Sequence, residues 1–99
     1  MSKALGIIET IGLTPAIAAL DSATKNAEVT FVGYEKVIGV GAAVSISIQL
    51  VGDVAAVQAS VEAGVNAAQK VGIVIAHHVI PRPSSEIDKI SEQFEFKAK

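Results

Sequence analysis

The most constraining feature of the sequence is the order in which two hydrophobic periodicities follow one another. Residues 28–36 ("EVTFVGYEK") and 45–51 ("SISIQLV") alternate with the period of two that is typical of strands. The short apolar run at 3–10 and the β-branched run at 73–80 predict two more strands. Helical patterns fill the two longer intervals, so the predicted order of elements is β-α-β-β-α-β.

The first helical segment follows the first strand. A helix start is predicted at Thr14, because its hydroxyl can accept hydrogen bonds from the free backbone amides of the first turn. Proline is tolerated at the first helical position, which Pro15 would occupy. Ile17 and Leu20 are expected on its inward side, and it is expected to end near Asn26.

The second helical segment has Asp53 as its expected N-cap and Gly72 as the left-handed residue that stops it. Its expected apolar stripe consists of Val54, Val57, Val61, Val65 and Ala68. In the preceding strand, Ile46, Ile48 and Leu50 are expected to share one face, with Ser45, Ser47 and Gln49 on the other. The pattern predicts an α+β, ferredoxin-like two-layer sandwich.

Composition restricts the possible partners. The 99 residues are 51% hydrophobic and only 18% charged, so part of the apolar surface is expected to be buried against other chains. The net charge of −2 without a basic cluster argues against nucleic acid. Absence of cysteine excludes disulfides and thiolate sites, and the lack of an apolar run of about eighteen residues argues against a membrane span, so a cytoplasmic protein is expected.

The residues that could support chemistry do not form a recognisable set. His77 and His78 are adjacent on a predicted strand and point to opposite faces, so one metal ion is not expected to bind both. The carboxylates Glu9, Glu35 and Asp53 lack the spacing of an acid–base pair. We therefore expect no catalytic residues, no cofactor and no enzyme activity.

Three other features have structural interpretations. The segment "IGVGAA" (38–43) lies between strands rather than before a helix, which indicates a turn of small uncharged residues rather than a phosphate loop. Lys25 complements the negative end of the first helix. Arg82 is held between Pro81 and Pro83, and it either binds carbonyls or carboxylates across an interface or remains solvated.

Four segments together resemble a known family. "KALGIIET" followed by "GL", "VTFVGYEK", "GDVAAVQASVEAG" and "HVIPRP" are similar to bacterial microcompartment shell proteins of the single-domain, hexamer-forming type. The resemblance covers roughly residues 3–83. It implies a shell domain at 1–83 and a C-terminal tail at 84–99, which forms either a short helix or a frayed end.

The resemblance also implies a function. Members of the family form flat cyclic hexamers that tile into a polyhedral shell around pathway enzymes, with a central pore that passes small metabolites. The implied partners are copies of the same chain, other shell proteins and the encapsulated enzymes. By position, Lys25, His78 and Arg82 correspond to hexamer-edge contacts. The corresponding pore-lining turn comprises Val37, Ile38, Gly39, Val40, Gly41, Ala42 and Ala43.

The sequence departs from the family pattern at that turn. The stretch between "GYEK" and "GDV" is longer than usual by about four residues, and Val51 replaces a basic residue. The pore is therefore expected to differ in size and chemistry. Three arrangements stay open: an open apolar pore, a turn that plugs the ring, and neighbouring subunits forced out of one plane. Two other functions on the same fold are a regulatory ligand-binding protein, similar to the trimeric nitrogen-signalling proteins, and a small enzyme. The short apolar loop argues against the former and the missing acid–base set against the latter.

Overall fold

A computed structural model describes residues 3–38 and 44–82. Its elements are β1 (Ala4–Ile11), α1 (Leu13–Asn26), β2 (Thr30–Ile38), β3 (Val44–Gly52), α2 (Val54–Gln69) and β4 (Ile73–Ile80). This order confirms the predicted β-α-β-β-α-β pattern and the α+β class.

The four strands form one antiparallel sheet in the order β2-β3-β1-β4. The helices cover one face, where Ile8 of β1 lies opposite Ile48 of β3 and both are buried. Ile46 and Leu50 share this face with Ile48, as the alternation predicted, and both are also buried. The strands β2 and β4 are therefore the two edges of the sheet.

The two helices pack closely because the residues between them are small. A Cβ atom on Gly64 of α2 would lie 2.9 Å from the carbonyl oxygen of Ala19 in α1. The Ser22 hydroxyl donates a hydrogen bond to the carbonyl of Ala63 at 3.2 Å across the same contact. A larger side chain at the contact would force the helices apart.

This close approach corrects the predicted orientation of α1. Its buried residues are Pro15, Ala16, Ala19 and Ala23. Ile17, expected inside, is 54% exposed, whereas Leu20 is partly buried against the core. Only small side chains fit between the helices, so the large apolar ones lie at the side.

The helix ends also differ from the predictions. Helix α1 begins at Leu13, its N-cap is Gly12 with a φ of 87°, and Thr14 makes no capping hydrogen bond because it already lies inside the first turn. Asp53 is the N-cap of α2, as predicted, but its carboxylate makes no capping hydrogen bond.

In α2 the buried face contains Val57, Val61, Val65 and Ala68, as predicted, together with Ser60 and Gly64. Val54, the first residue of the helix, is 42% exposed, so it does not belong to the buried face. The prediction that Gly72 is left-handed is wrong. A Cβ at Gly72 would lie 2.6 Å from Cγ of Pro15, so this glycine allows a close contact with α1.

Strand β2 extends into the segment that was predicted as a turn. Val37 and Ile38 still pair with Ser45 and Val44, so these predicted turn residues belong to strands. The other predicted pore residues, Gly39, Val40, Gly41, Ala42 and Ala43, lie outside the described residues, as do residues 83–99.

Candidate functional site

The strand register divides the sheet into two ends with different chemistry. At one end Ile11 of β1 lies beside Ser45 and Ile73, and Ser45 pairs with Val37. We call this the turn end, because the β2–β3 hairpin closes there. At the other, called the far end, Leu5 lies beside Val51 and Ile80, and Val51 pairs with Thr30.

The turn end exposes many apolar side chains. Ile38 is 69% exposed and Leu13 is 62% exposed. Leu13 is fixed there because the backbone N–H of the preceding Gly12 donates to the carbonyl of Val44 at 2.7 Å. Ile11, Val37 and Ile73 are also exposed. So much exposed apolar surface indicates a region covered by another molecule.

The far end carries the two predicted edge cations. Lys25 is in the last turn of α1, where its Nζ atom lies 3.1 Å from an Asp21 carboxylate oxygen. Arg82 follows β4 by two residues and is exposed. The two cations thus share one end of the sheet: Lys25 lies at the end of the helix that leads to β2, and Arg82 follows β4.

The two histidines point to opposite faces of β4, as predicted. His77 lies beside Ile8, on the face that the helices cover, and His78 lies beside Ile7 on the other face. His77 lines a cleft of about 390 Å³ with Glu62 and Asn66 of α2. His78 is exposed. Among residues 3–38 and 44–82, no three His, Cys, Asp or Glu side chains are close enough to hold a metal ion.

The helix-free face of the sheet carries a polar strip. Ser47 of β3 lies between Glu9 of β1 and Glu35 of β2. Gln49, two residues along β3, donates from Nε2 to the Ser47 hydroxyl at 2.9 Å. Because β3 lies between β1 and β2, a whole strand separates the carboxylates of Glu9 and Glu35.

The sequence did not reveal an apolar groove between α1 and the β2 side of the sheet. It has a volume of about 340 Å³ and is lined mainly by Leu13, Ile17, Leu20, Phe31 and Tyr34, with Ile46 and Ile48 beneath. The sequence signal for this groove lies in α1, where alanines are interspersed with larger apolar residues. Only the helix–helix distance decides which of them face inward.

Neither helix in the described part of the chain is long and apolar enough to cross a membrane. The described surface is instead that of a small α+β unit with two unlike ends and an open apolar groove.

Comparison with known proteins places this fold in a family. The family model for the BMC domain matches residues 4–83. The bacterial microcompartment shell protein PduA of Citrobacter freundii is 51% identical over 88 residues, covering 89% of this chain and 90% of PduA. The carboxysome shell protein CcmK2 of Synechococcus elongatus is 44% identical over 92 residues, covering 91% and 86% of the two chains.

A solved structure agrees. A microcompartment protein from Desulfitobacterium hafniense superposes with a TM-score of 0.78 at 38% identity and covers 90% of this chain. This chain spans 48%, about half, of the length of that solved protein. The named relatives are structural shell proteins rather than enzymes, and a structural role in a microcompartment shell follows. The chain belongs to the BMC domain family of bacterial microcompartment shell proteins.

Proposed function

We propose that the chain forms cyclic hexamers in which the turn end of each subunit points to the ring axis and the far end points outward. The observation that carries this proposal is the segregation of exposed side chains along the strands. A cluster of exposed large apolar residues, Ile11, Leu13, Val37, Ile38 and Ile73, lies at the turn end beside Lys36 and Lys70, and Lys25 and Arg82 lie at the far end. Apolar surface is best buried where copies converge, and cations suit a boundary that must remain soluble before rings meet.

Tiling of rings into sheets then uses the far end. Lys25 and Arg82 are the cationic donors that would reach carbonyls or carboxylates of the neighbouring ring. In the single subunit Lys25 is already paired with Asp21, and both side chains are more than half exposed. Such a pair is weak in water, so the lysine is free to exchange partners at little cost.

The central pore is formed in this proposal by residues 37–43, which comprise the end of β2 and the β2–β3 turn. Val37 and Ile38 lead into the turn and are uncharged and exposed, at 46% and 69%. The sequence of residues 37–43 contains only glycine, alanine, valine and isoleucine. A rim of this kind selects by width, backbone groups and dewetting rather than by charge, which favours small neutral metabolites over anions.

The assembly is tested by sedimentation and electron microscopy of the purified chain. A hexamer has six times the 10.2 kDa subunit mass, about 61 kDa, and is expected to appear as rings that associate into sheets. A stable monomer at micromolar concentration contradicts the proposal. Rings that never form sheets would support the ring and contradict the proposed tiling.

A further inference from the structure

We propose that the polar strip on the helix-free face of the sheet is a binding site for a hard divalent cation, best suited to Ca²⁺. Its ligands would be side-chain oxygen atoms of Glu9 on β1, Glu35 on β2, and Ser47 and Gln49 on β3. The site belongs to a single subunit, so this inference does not depend on the proposed ring. A cation bound there would link three strands of the sheet.

The amide of Gln49 is the observation that carries this inference. Gln49 is only 8% exposed, and its Oε1 atom is buried without a hydrogen-bond partner among the described residues. The Nε2 atom of the same amide donates to the Ser47 hydroxyl at 2.9 Å, which directs the amide along β3 into the polar strip. A buried carbonyl oxygen that has neither a donor nor a cation is destabilising and is rare in folded proteins. Its position therefore indicates an occupant that carries positive charge or donates a hydrogen bond.

Two carboxylates decide between those occupants. Glu9 and Glu35 are the direct cross-strand neighbours of Ser47, one on each side. Cβ atoms of such neighbours are about 4.5–5.5 Å apart, and glutamate side chains are long enough to converge above the serine. Neither glutamate forms an ion pair with a residue that the structure describes. Two negative charges beside an oxygen that only accepts hydrogen bonds favour a cation.

The strip is buried at its base and open at its rim. Gln49 lies at the base, Ser47 and Glu9 are half-buried, and Glu35 is exposed. The neighbouring Lys36 pairs with Ile46 on the face that the helices cover, so its charge lies on the other side of the sheet. A cation can therefore reach the carboxylates from solvent and bind the amide oxygen beneath them.

The chemistry of the donor atoms selects the metal. Carboxylate, amide and hydroxyl oxygens are ligands of Ca²⁺ and Mg²⁺, whereas zinc and copper prefer imidazole and sulfur. His78 is also on the helix-free face, but Ile7 of β1 lies between it and Gln49. Mg²⁺ requires a nearly ideal octahedron, whereas Ca²⁺ accepts irregular sets of about 6–8 oxygens, including waters. Four side chains from three strands therefore suit Ca²⁺ better.

Calcium titration of the metal-free protein tests the site. Isothermal titration calorimetry measures binding, and thermal unfolding measures its effect on stability. With only two carboxylates, the dissociation constant is expected at the weak end of protein calcium sites, about 0.1–1 mM. About 10 mM Ca²⁺ is then expected to raise the unfolding midpoint by about 5 °C or more, whereas NaCl of equal ionic strength does not. Mg²⁺ at the same concentration is expected to have a smaller effect.

Gln49→Leu is the deciding variant, because it removes the amide oxygen and leaves both carboxylates in place. It is expected to fold, which circular dichroism checks, and to lose at least about tenfold in calcium affinity together with the shift in unfolding midpoint. Glu35→Gln, at an exposed position, is expected to lose about tenfold or more as well. The control is Glu62→Gln, which removes an exposed carboxylate of α2 and is expected to bind calcium like the parent.

A parent protein whose unfolding does not depend on calcium overturns the inference and would mean that water or another part of the chain satisfies the Gln49 oxygen. The inference is also overturned if Gln49→Leu binds calcium like the parent. Equal loss of binding in Glu62→Gln and Glu35→Gln would show a general charge effect rather than a site. If Gln49→Leu does not fold, Glu35→Gln decides alone, and unchanged affinity in it contradicts the proposed ligands.

Discussion

The turn end and the far end of the sheet are built from the same four strands but expose different side chains. At the turn end many exposed residues are apolar, including Ile11, Leu13 and Ile73, although Lys36 and Lys70 are exposed on the same side. At the far end Leu5 is buried and the prominent exposed groups are Lys25 and Arg82. One end therefore suits permanent burial among copies, and the other suits reversible contact between finished rings.

The apolar groove adds a second contrast, between the side of α1 and the face of α1 that packs against α2. The helices are close enough that Ala19 and Gly64 meet, which leaves Ile17 at the side of α1. Large apolar side chains that do not fit between the helices are therefore exposed at the side of α1.

The largest effect is expected from a charge at the turn end. Ile38→Lys would bring six positive charges towards the axis, and their repulsion is expected to raise the ring-forming concentration about tenfold or more at low salt. In about 1 M salt the Debye length falls to about 3 Å, so rings are expected to recover. Sedimentation at both salt concentrations measures this.

The matched control is Thr30→Lys, at the far end of the same strand and also exposed. It is expected to leave ring formation unchanged at either salt concentration. Equal loss of rings in both variants would show that the two ends of β2 do not differ in their distance from the axis.

A smaller effect is expected from the far-end cations. Lys25→Ala and Arg82→Ala each remove a charged donor, worth about 1.5–3 kcal/mol where its hydrogen bonds are desolvated. The rings are expected to persist, and the concentration needed for sheets to rise about tenfold or more. Electron microscopy and turbidity of pre-formed rings measure the change.

Lys70→Ala serves as the control for those variants, since Lys70 is exposed at the end of α2 that leads to the turn end. It is expected to form sheets like the parent. Sheets that form normally in both the Lys25 and Arg82 variants would exclude these residues from tiling.

A modest effect is expected at the histidines. His78→Ala removes an exposed hydrogen-bonding group, worth about 0.5–1.5 kcal/mol, and should raise the sheet-forming concentration a few-fold. His77→Ala, on the other face of β4, should leave the sheet-forming concentration of intact rings unchanged. Identical behaviour of the two variants would contradict a role of the helix-free face in tiling.

The smallest effect is expected from Asp21→Asn. The Asp21–Lys25 pair is exposed and four residues apart on α1, so its loss should lower the free energy of unfolding by no more than about 0.5 kcal/mol. Sheets should form at least as readily, because Lys25 is released. A stability loss above about 1 kcal/mol in thermal unfolding would mean that this pair has a structural role.

The sequence predicted those features that depend on local periodicity. The alternation of Ile46, Ile48 and Leu50 predicted that they share one face of β3, which is the buried face. The adjacency of His77 and His78 predicted that they lie on opposite faces of β4. Both follow from the period of a strand, which does not depend on the rest of the fold.

The features that depend on distances between elements were not predictable. Ile17 was expected inside because it is the larger apolar residue, but the contact of Ala19 with Gly64 leaves space only for alanine. Gly72 was expected to terminate α2 through its backbone angles, and it is instead required by Pro15. The groove follows from the same helix spacing and was therefore missed. The predicted pore residues 39–43 lie outside the described residues, so their assignment stays a prediction.

The central claim is that the strands run radially, with the turn end at the axis. An electron cryomicroscopy map of the isolated ring tests this most directly. Radial strands predict sixfold symmetry with Val37 and Ile38 near the axis and Lys25 and Arg82 at the perimeter. A ring with Lys25 and Arg82 facing the axis, or with the β2–β3 turn at the perimeter, would contradict it.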